Sequence, residues 1–117
     1  MPSSKVGRRT SRAGEALSLT PDASADLGEI REYYDNLPAQ HVEPIMSGLQ
    51  ALLYDVASHP PRGTIHSSAT RMLGEEVRTR ALPPYRIFYR DRGGLAEVIA
   101  VLHTARDVNS ILSSRLQ

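Results

Sequence analysis

The sequence predicts a single α+β domain, in which a pair of helices packs on an antiparallel sheet. Apolar residues recur every three or four positions between residues 23 and 56, which is the spacing of one buried helix face. Between residues 77 and 103 they recur mostly every second position, which is the spacing of strands. Helices and strands are thus segregated along the chain in the order β-α-α-β-β-β-α, as in the α+β class.

The bulk composition is that of one globular domain: 117 residues, of which 40% are hydrophobic and 23% charged. No apolar run approaches the roughly 18 residues of a membrane span, and no apolar stretch follows the basic N-terminus. We therefore expect neither a membrane segment nor a secretory signal. Cysteine is absent, which excludes disulfides, thiol catalysis and thiolate metal sites and fits a reducing cytoplasm.

The net charge of +1 hides three regions of different sign. Residues 1–14 are basic without an acid, residues 15–70 are mostly acidic, and residues 71–117 contain eight arginines and five acids. We interpret residues 1–14 as a flexible basic tail, which either touches nucleic acid through its charge or has no role. Arginine dominates the basic residues, either through codon bias or because its planar guanidinium suits phosphates and carboxylates.

A helical hairpin is predicted for the first half of the chain. A short strand over residues 16–20 leads directly into a helix, where Thr20 is the expected cap and Pro21 suits the first helical position. The apolar stripe of the first helix is Ala23, Leu27, Ile30, Tyr34 and Leu37. The stripe of the second is Val42, Ile45, Met46, Leu49, Leu52, Leu53 and Val56, with Pro44 expected near its first turns because an interior proline costs about 3 kcal/mol.

The second half of the chain is predicted to form the sheet. Residues 60–70 are interpreted as a loop, and a brief strand is expected over residues 71–73. Alternating strands follow over residues 77–82 and 85–90, and a mostly apolar strand over residues 95–103 is expected at the centre of the sheet. Asp107 is the expected cap of a short final helix whose inward residues are Val108, Ile111 and Leu112.

Four segments of the chain, in this order, resemble the ParE/RelE superfamily of toxins. They are the sequences LSLTPDASADLGEIREYY (17–34), LLYDVASHPPRG (52–63), YRIFYR (85–90) and VIAVLHTARDVNSIL (98–112). The resemblance covers roughly residues 16–113 and is closer to the ParE branch. It implies two regions: a tail over residues 1–14 and a single toxin domain over residues 15–117.

The resemblance implies a cytoplasmic toxin of a type II toxin–antitoxin module that inhibits growth unless a cognate antitoxin wraps it. The ParE branch poisons DNA gyrase without a known catalytic site, whereas the RelE branch cleaves messenger RNA on the ribosome. We expect the antitoxin and gyrase as partners, with the ribosome and its mRNA as the alternative target. A non-toxic orphan interaction module is a third possibility. No cofactor, metal, membrane or small-molecule substrate is expected, and DNA contact is expected only through the antitoxin.

Four arginines on two strands are candidates for binding the target or the antitoxin. Because side chains alternate along a strand, Arg78 and Arg80 share one face of theirs, and Arg86 and Arg90 share one face of the next. If both pairs point away from the helices, they form one basic surface with Phe88 among them. The alternative is that the arginines pair with neighbouring acids, which are Glu75, Glu76 and Glu97.

The remaining candidates are His103, Arg106 and Tyr33. The only lysine is Lys5, so a lysine-based RelE site is excluded, and a nuclease would need His103 with Arg86, Arg90 and Arg106. His103 alternatively hydrogen-bonds the sheet edge or the turn that follows it, and Arg106 alternatively pairs with an acid. Tyr33 is a candidate contact for the antitoxin or target, because Tyr34 takes the buried position.

Overall fold

A five-stranded sheet forms the centre of the protein in the computed structural model, which describes residues 17–116 apart from the side chains of 39–43 and 116. The expected tail over residues 1–14, the start of the first strand at Ala16 and the side chain of Val42 lie outside the described residues. The elements, in chain order, are β1 (Leu17–Leu19), α1 (Pro21–Asp35), α2 (Ala39–Ser58), a 3₁₀ turn (Pro60–Arg62), β2 (Thr64–Ile65), α3 (Ser67–Leu73), β3 (Arg78–Leu82), β4 (Tyr85–Arg92), β5 (Leu95–His103) and α4 (Val108–Leu116). None of the described helices is long and apolar enough to cross a membrane.

The sheet has the strand order β1-β5-β4-β3-β2. Neighbours from β2 to β5 pair antiparallel, whereas β1 pairs in parallel with β5, so that Leu17 lies beside Ala96 and Leu19 beside Val98. The α+β fold and the helical hairpin are confirmed, but the expectation of a fully antiparallel sheet is wrong at this edge. The chain passes from β1 into α1 and reaches β5 only after several other elements. A tight turn would require β1 and β5 to be antiparallel, whereas a connection of this length permits parallel pairing.

The central strand β5 is buried on both faces, since all residues from Val98 to Leu102 are almost fully inaccessible. On the hairpin face, Tyr85, Ile87 and Val98 of the sheet pack against α1 and α2. On the opposite face, Phe88, Ala100 and Leu102 pack against α3 and α4; the inward residues of these two helices include Ala69 and Leu112. The protein therefore has three layers and two hydrophobic cores.

The segment between α2 and β3 differs from its predicted structure. The loop expected over residues 60–70 contains a 3₁₀ turn, β2 and the start of α3, and the strand expected over residues 71–73 is the last turn of that helix. His66 caps α3, because its Nδ1 accepts a hydrogen bond from the Ala69 N–H at 3.3 Å. Gly74 ends the helix in the left-handed conformation, with φ of 81°.

The caps predicted at the two ends of the domain are confirmed. Thr20 Oγ1 accepts a hydrogen bond from the Ala23 N–H at 3.1 Å, and Pro21 is the first residue of α1. Asp107 accepts hydrogen bonds from the N–H and the hydroxyl of Ser110 at 3.3 and 2.8 Å. These caps fix the directions in which α1 leaves β1 and α4 leaves β5.

One buried ion pair links the hairpin to α4. Asp26 of α1 is 7% exposed and accepts two hydrogen bonds from the Arg115 guanidinium at 2.7 and 2.8 Å. The same carboxylate accepts the Val101 N–H of β5 at 2.9 Å. The hydrogen bonds from its guanidinium to Asp26 raise the pKa of Arg115. One residue from each of the other two layers thus contacts this carboxylate of the hairpin, and each of its oxygens has a partner.

Gly63→Ala is expected to destabilise the protein by about 1–3 kcal/mol, the usual cost of overpacking. A Cβ at Gly63 would overlap the buried Tyr89 hydroxyl, which accepts the Gly63 N–H at 3.0 Å and donates to the Pro60 carbonyl. Gly28→Ala is the matched control: a Cβ there meets nothing within 4 Å, so α1 should gain up to about 1 kcal/mol. Urea unfolding of both variants measures the difference, and equal stabilities would contradict this description of the loop.

Candidate functional site

The four candidate arginines of β3 and β4 lie on two different faces of the sheet. Arg78 is opposite Tyr89 and Arg80 is opposite Ile87 in the antiparallel register, and residues opposite each other share a face. Because Tyr89 and Ile87 pack against the hairpin, Arg78 and Arg80 are on the hairpin face. Arg86 and Arg90 are on the opposite face with Phe88. The expected single basic surface is therefore wrong.

Arg78 holds the loop that follows α2. Its guanidinium donates to the carbonyl oxygens of Pro61 and Gly63 at 3.0 and 2.8 Å. It also pairs with the exposed Glu76 at 3.1 Å. Two of these three contacts are to backbone of the same domain, which assigns this arginine a clear structural role.

Arg80 is neutralised by α2. Its guanidinium lies 2.6 Å from the Asp55 carboxylate, which is also 3.3 Å from Arg62. The hydrogen bond from Arg80 is the main cause that lowers the pKa of Asp55, with smaller contributions from the charges of Arg62 and His59. Asp55 therefore stays ionised near neutral pH and compensates the charge of Arg80.

Arg90 forms the cross-strand ion pair that was the alternative to a binding role. It lies opposite Glu97 in the register and pairs with it at 2.5 Å, while Arg92 reaches the same carboxylate at 3.1 Å. Glu75 approaches both arginines, at 4.0 and 3.3 Å. Burial raises the pKa of Glu97, but the hydrogen bonds from Arg92 and Arg90 outweigh it and lower the value. Two acids thus balance two arginines here.

Arg86 and Arg106 are different, because neither forms an ion pair or a side-chain hydrogen bond with any side chain or backbone group that the structure describes. Arg86 lies opposite Leu102 near the start of β4. The chain then leaves β5 and turns, with the Thr104 N–H bound to the Pro84 carbonyl at 2.8 Å and the Arg106 N–H bound to the His103 carbonyl at 2.9 Å. This turn brings Arg106 to the same end of the sheet as Arg86.

We call His66, Arg86 and Arg106 the basic corner: His66 and Arg86 lie on the opposite face of the sheet, where the charge of Arg86 acts on His66, and Arg106 lies in the turn that follows β5. The His66 ring contacts the Phe88 ring edge-to-face, with 5.2 Å between centroids. Burial lowers the pKa of His66, and the charge of Arg86 lowers it further. Sequence reasoning missed His66 because it was isolated among the histidines. The sequence did contain one signal: His66 immediately precedes Ser67, so it could have been identified as the cap of a helix that begins there.

Phe88 does not lie on an accessible surface. It is fully buried beneath α3 and α4, so the expectation that it sits exposed among arginines is wrong. The reason is that the opposite face of the sheet is covered by two helices, of which the sequence analysis had identified only the last. The buried Phe88 ring packs against the His66 ring of the basic corner.

His103 lies on the other side of the sheet from Arg86. It is opposite Tyr85, and the two rings are in edge-to-face contact on the hairpin face, with centroids 5.5 Å apart. Its Nδ1 accepts the Ala105 N–H at 3.0 Å. The alternative interpretation, a hydrogen bond to the following turn, is therefore the one that the structure contains.

Tyr33 is exposed near the C-terminal end of α1, with 62% of its surface accessible, whereas Tyr34 packs into the hairpin core. The Tyr33 ring is held edge-to-face against Tyr34, with centroids 5.0 Å apart. The expectation that Tyr34 takes the buried position and leaves Tyr33 accessible is confirmed. The role of Tyr33 as a contact for a partner stays a prediction.

These features define a small three-layer α+β protein in which Arg86 and Arg106, toward one end of the sheet, pair with no described residue. A family model described as the ParE toxin of the type II toxin–antitoxin system parDE matches residues 17–108, and the chain belongs to this family. It is therefore the toxin component of a type II toxin–antitoxin system, with a cognate antitoxin as its partner. No curated protein is significantly similar to the chain.

Arg86→Gln is expected to raise the pKa of His66. Removing the neighbouring positive charge favours the protonated imidazole, while the burial that also lowers this pKa is retained. An NMR titration of the imidazole carbon-bound protons measures the change. Arg80→Gln, on the hairpin face, should leave the pKa of His66 unaltered. An unchanged pKa in Arg86→Gln would show that the basic corner is not assembled as described.

Proposed function

We propose that this toxin acts in the cytoplasm by binding DNA gyrase, and that it inhibits gyrase without catalysing a reaction of its own. The proposal is carried by one observation: the side chains that a nuclease of this superfamily would need are not on one surface. His103 is on the hairpin face, whereas Arg86 is on the opposite face. A general acid must come within hydrogen-bond distance of the reacting group, so these two do not serve one scissile bond.

The other candidate catalytic residues support the same conclusion. Arg90 is four residues from Arg86, which is about 13 Å along a strand, and its charge is taken up by Glu97. The chain has no lysine among residues 17–116 that would replace it. What remains of the candidate set without a described ion-pair partner is Arg86, which is half-buried, and Arg106, which is exposed. Guanidinium groups bind anions but do not transfer protons, because they stay protonated in proteins.

Ribosome-dependent cleavage of mRNA is the second candidate function, and the position of His66 favours it. A histidine titrates near neutral pH, and His66 is the titratable side chain that lies beside Arg86. Its Nδ1 accepts the Ala69 N–H, so the neutral ring carries its proton on Nε2 and can donate a hydrogen bond from there. A nuclease on this fold would therefore use His66 rather than His103. Proton transfer by His66 would require Nδ1 to release this cap.

Purified toxin is expected to inhibit DNA supercoiling by gyrase, measured by the conversion of relaxed plasmid to the supercoiled form on agarose gels. Arg86→Gln with Arg106→Gln should weaken the inhibition at least tenfold, because the accessible positive charge is lost. Arg31→Gln with Arg62→Gln removes the same charge from exposed, ion-paired positions and should leave inhibition within twofold. Normal supercoiling at a large excess of wild-type toxin would overturn the proposal.

Primer extension on mRNA from cells expressing the toxin should show no discrete cuts, because the superfamily's catalytic residues are divided between two faces. Cuts that disappear in His66→Ala but persist in His103→Ala would establish the second candidate function instead. Overexpression that is harmless in the absence of antitoxin would overturn both functions and leave an interaction module without toxicity.

Tyr33→Ala is expected to weaken binding of the cognate antitoxin at least tenfold without reducing the stability of the free toxin. An exposed tyrosine held by a neighbouring ring loses little entropy on binding and is a frequent anchor of interfaces. Tyr54→Ala is the matched control, since Tyr54 is 61% exposed but lies on α2. Isothermal titration with purified antitoxin measures both affinities, and equal affinities of wild type and Tyr33→Ala would exclude Tyr33 from the interface.

A further inference from the structure

The ion pairs of this protein divide its arginines into two groups. Seven of the ten arginines between residues 17 and 116 pair with an acid. The three that pair with no described residue are Arg71, Arg86 and Arg106. All three lie on elements of the opposite face or in the turn that leads into it. Most of the described arginines thus form ion pairs, and the three unpaired ones are confined to the side of the sheet opposite the helical hairpin and the turn that leads to it.

The basic corner also lacks a carboxylate available to neutralise it. The acid nearest in sequence is Asp107, but both of its oxygens accept hydrogen bonds from Ser110 at the start of α4. These bonds lower the pKa of Asp107, which shows that its charge is already engaged in capping the helix. The corner therefore combines an exposed Arg106, which precedes the N-terminal end of α4, with a half-buried Arg86, and neither charge is paired with a described acid.

The exposed aromatic residues are elsewhere. Tyr33 and Tyr54, the exposed aromatic side chains of the described chain, belong to the hairpin, and Phe88 beneath the corner is fully buried. Binding of single-stranded nucleic acid usually relies on aromatic rings on which bases stack. A surface with arginines and the exposed Thr104, whose one ring is the half-buried His66 already packed against Phe88, instead matches the contacts that proteins make with the phosphates of a duplex.

We propose that the basic corner binds the phosphate backbone of double-stranded DNA directly. This deepens the proposed function, because an inhibitor of gyrase meets its target on DNA, and contact with the duplex would hold the toxin beside the enzyme. It differs from the sequence-based expectation that DNA is contacted only through the antitoxin. The sequence alone did not show which arginines are paired with acids, because pairing depends on the register of β3 and β4.

Fluorescence anisotropy of a labelled 20-base-pair duplex with full-length toxin, without gyrase or antitoxin, tests the proposal. The wild type should bind with a dissociation constant of roughly 10⁻⁴–10⁻⁶ M, the range of sequence-independent binding. Arg86→Gln with Arg106→Gln should weaken binding at least tenfold. It should also reduce the slope of log affinity against log salt by about 2, since each phosphate contact contributes about 0.9. Arg106→Gln alone, in an exposed turn, should give about half of the change in slope.

The matched control again removes two charges from paired arginines, Arg31→Gln with Arg62→Gln, and should retain binding within twofold. A toxin with Arg8, Arg9 and Arg12 changed to Gln separates the corner from the basic N-terminal segment. The effect of the corner variant should persist in this background.

Four results would overturn the proposal: no duplex binding by the wild type, equal losses in the corner and control variants, equal affinity for single-stranded RNA, or full competition by a polyglutamate peptide at the same charge concentration. None of them bears on gyrase inhibition, which the supercoiling assay measures separately.

Discussion

The two-sided burial of β5 is the constraint on which the rest of the structure depends. A strand whose residues from Val98 to Leu102 are all apolar is unstable unless both faces of the sheet are covered. The hairpin of α1 and α2 covers one face, and α3 with α4 covers the other. Burial of this kind contributes about 25 cal/mol for each Å² of apolar surface, so neither cover is dispensable.

The same constraint decides what the arginines do. Once β5 fixes the faces, the register of β3 and β4 sends Arg78 and Arg80 toward the hairpin and Arg86 and Arg90 away from it. Arg78, Arg80 and Arg90 meet carbonyl groups or acids in these positions and hold parts of the domain together. Arg86 meets neither, because its cross-strand neighbours are Ala81 and Leu102. We therefore propose that the function of this chain depends on the charges that the sheet leaves without a partner.

Much of the fold was predictable because it depends on local signals. The stripes of α1 and α2, the caps at Thr20 and Asp107 and the alternation of β3 and β4 are all readable from neighbouring residues. The helix α3 was not, since its seven residues are too few to show a period and its capping residue is a histidine. The parallel pairing of β1 is also decided by contacts distant in sequence.

The candidate site was less predictable than the fold, for a related reason. Alternation established which arginines of one strand share a face, but it did not relate one strand to the next. That relation depends on register: moving β3 by one residue against β4 would have placed all four arginines together. The burial of Phe88 and the position of His66 both follow from α3, so they were hidden along with it.

We propose that the toxin acts on its target through the basic corner, whereas the exposed Tyr33 of the hairpin contacts the antitoxin. Hydrogen–deuterium exchange of the toxin, free and in complex with gyrase and duplex DNA, tests it most directly. The account predicts slower exchange of the amides in the turn over residues 103–107 and around Arg86, with the exposed face of α1 unchanged. Slower exchange over α1 and α2, with the turn exchanging as it does in the free toxin, would contradict it.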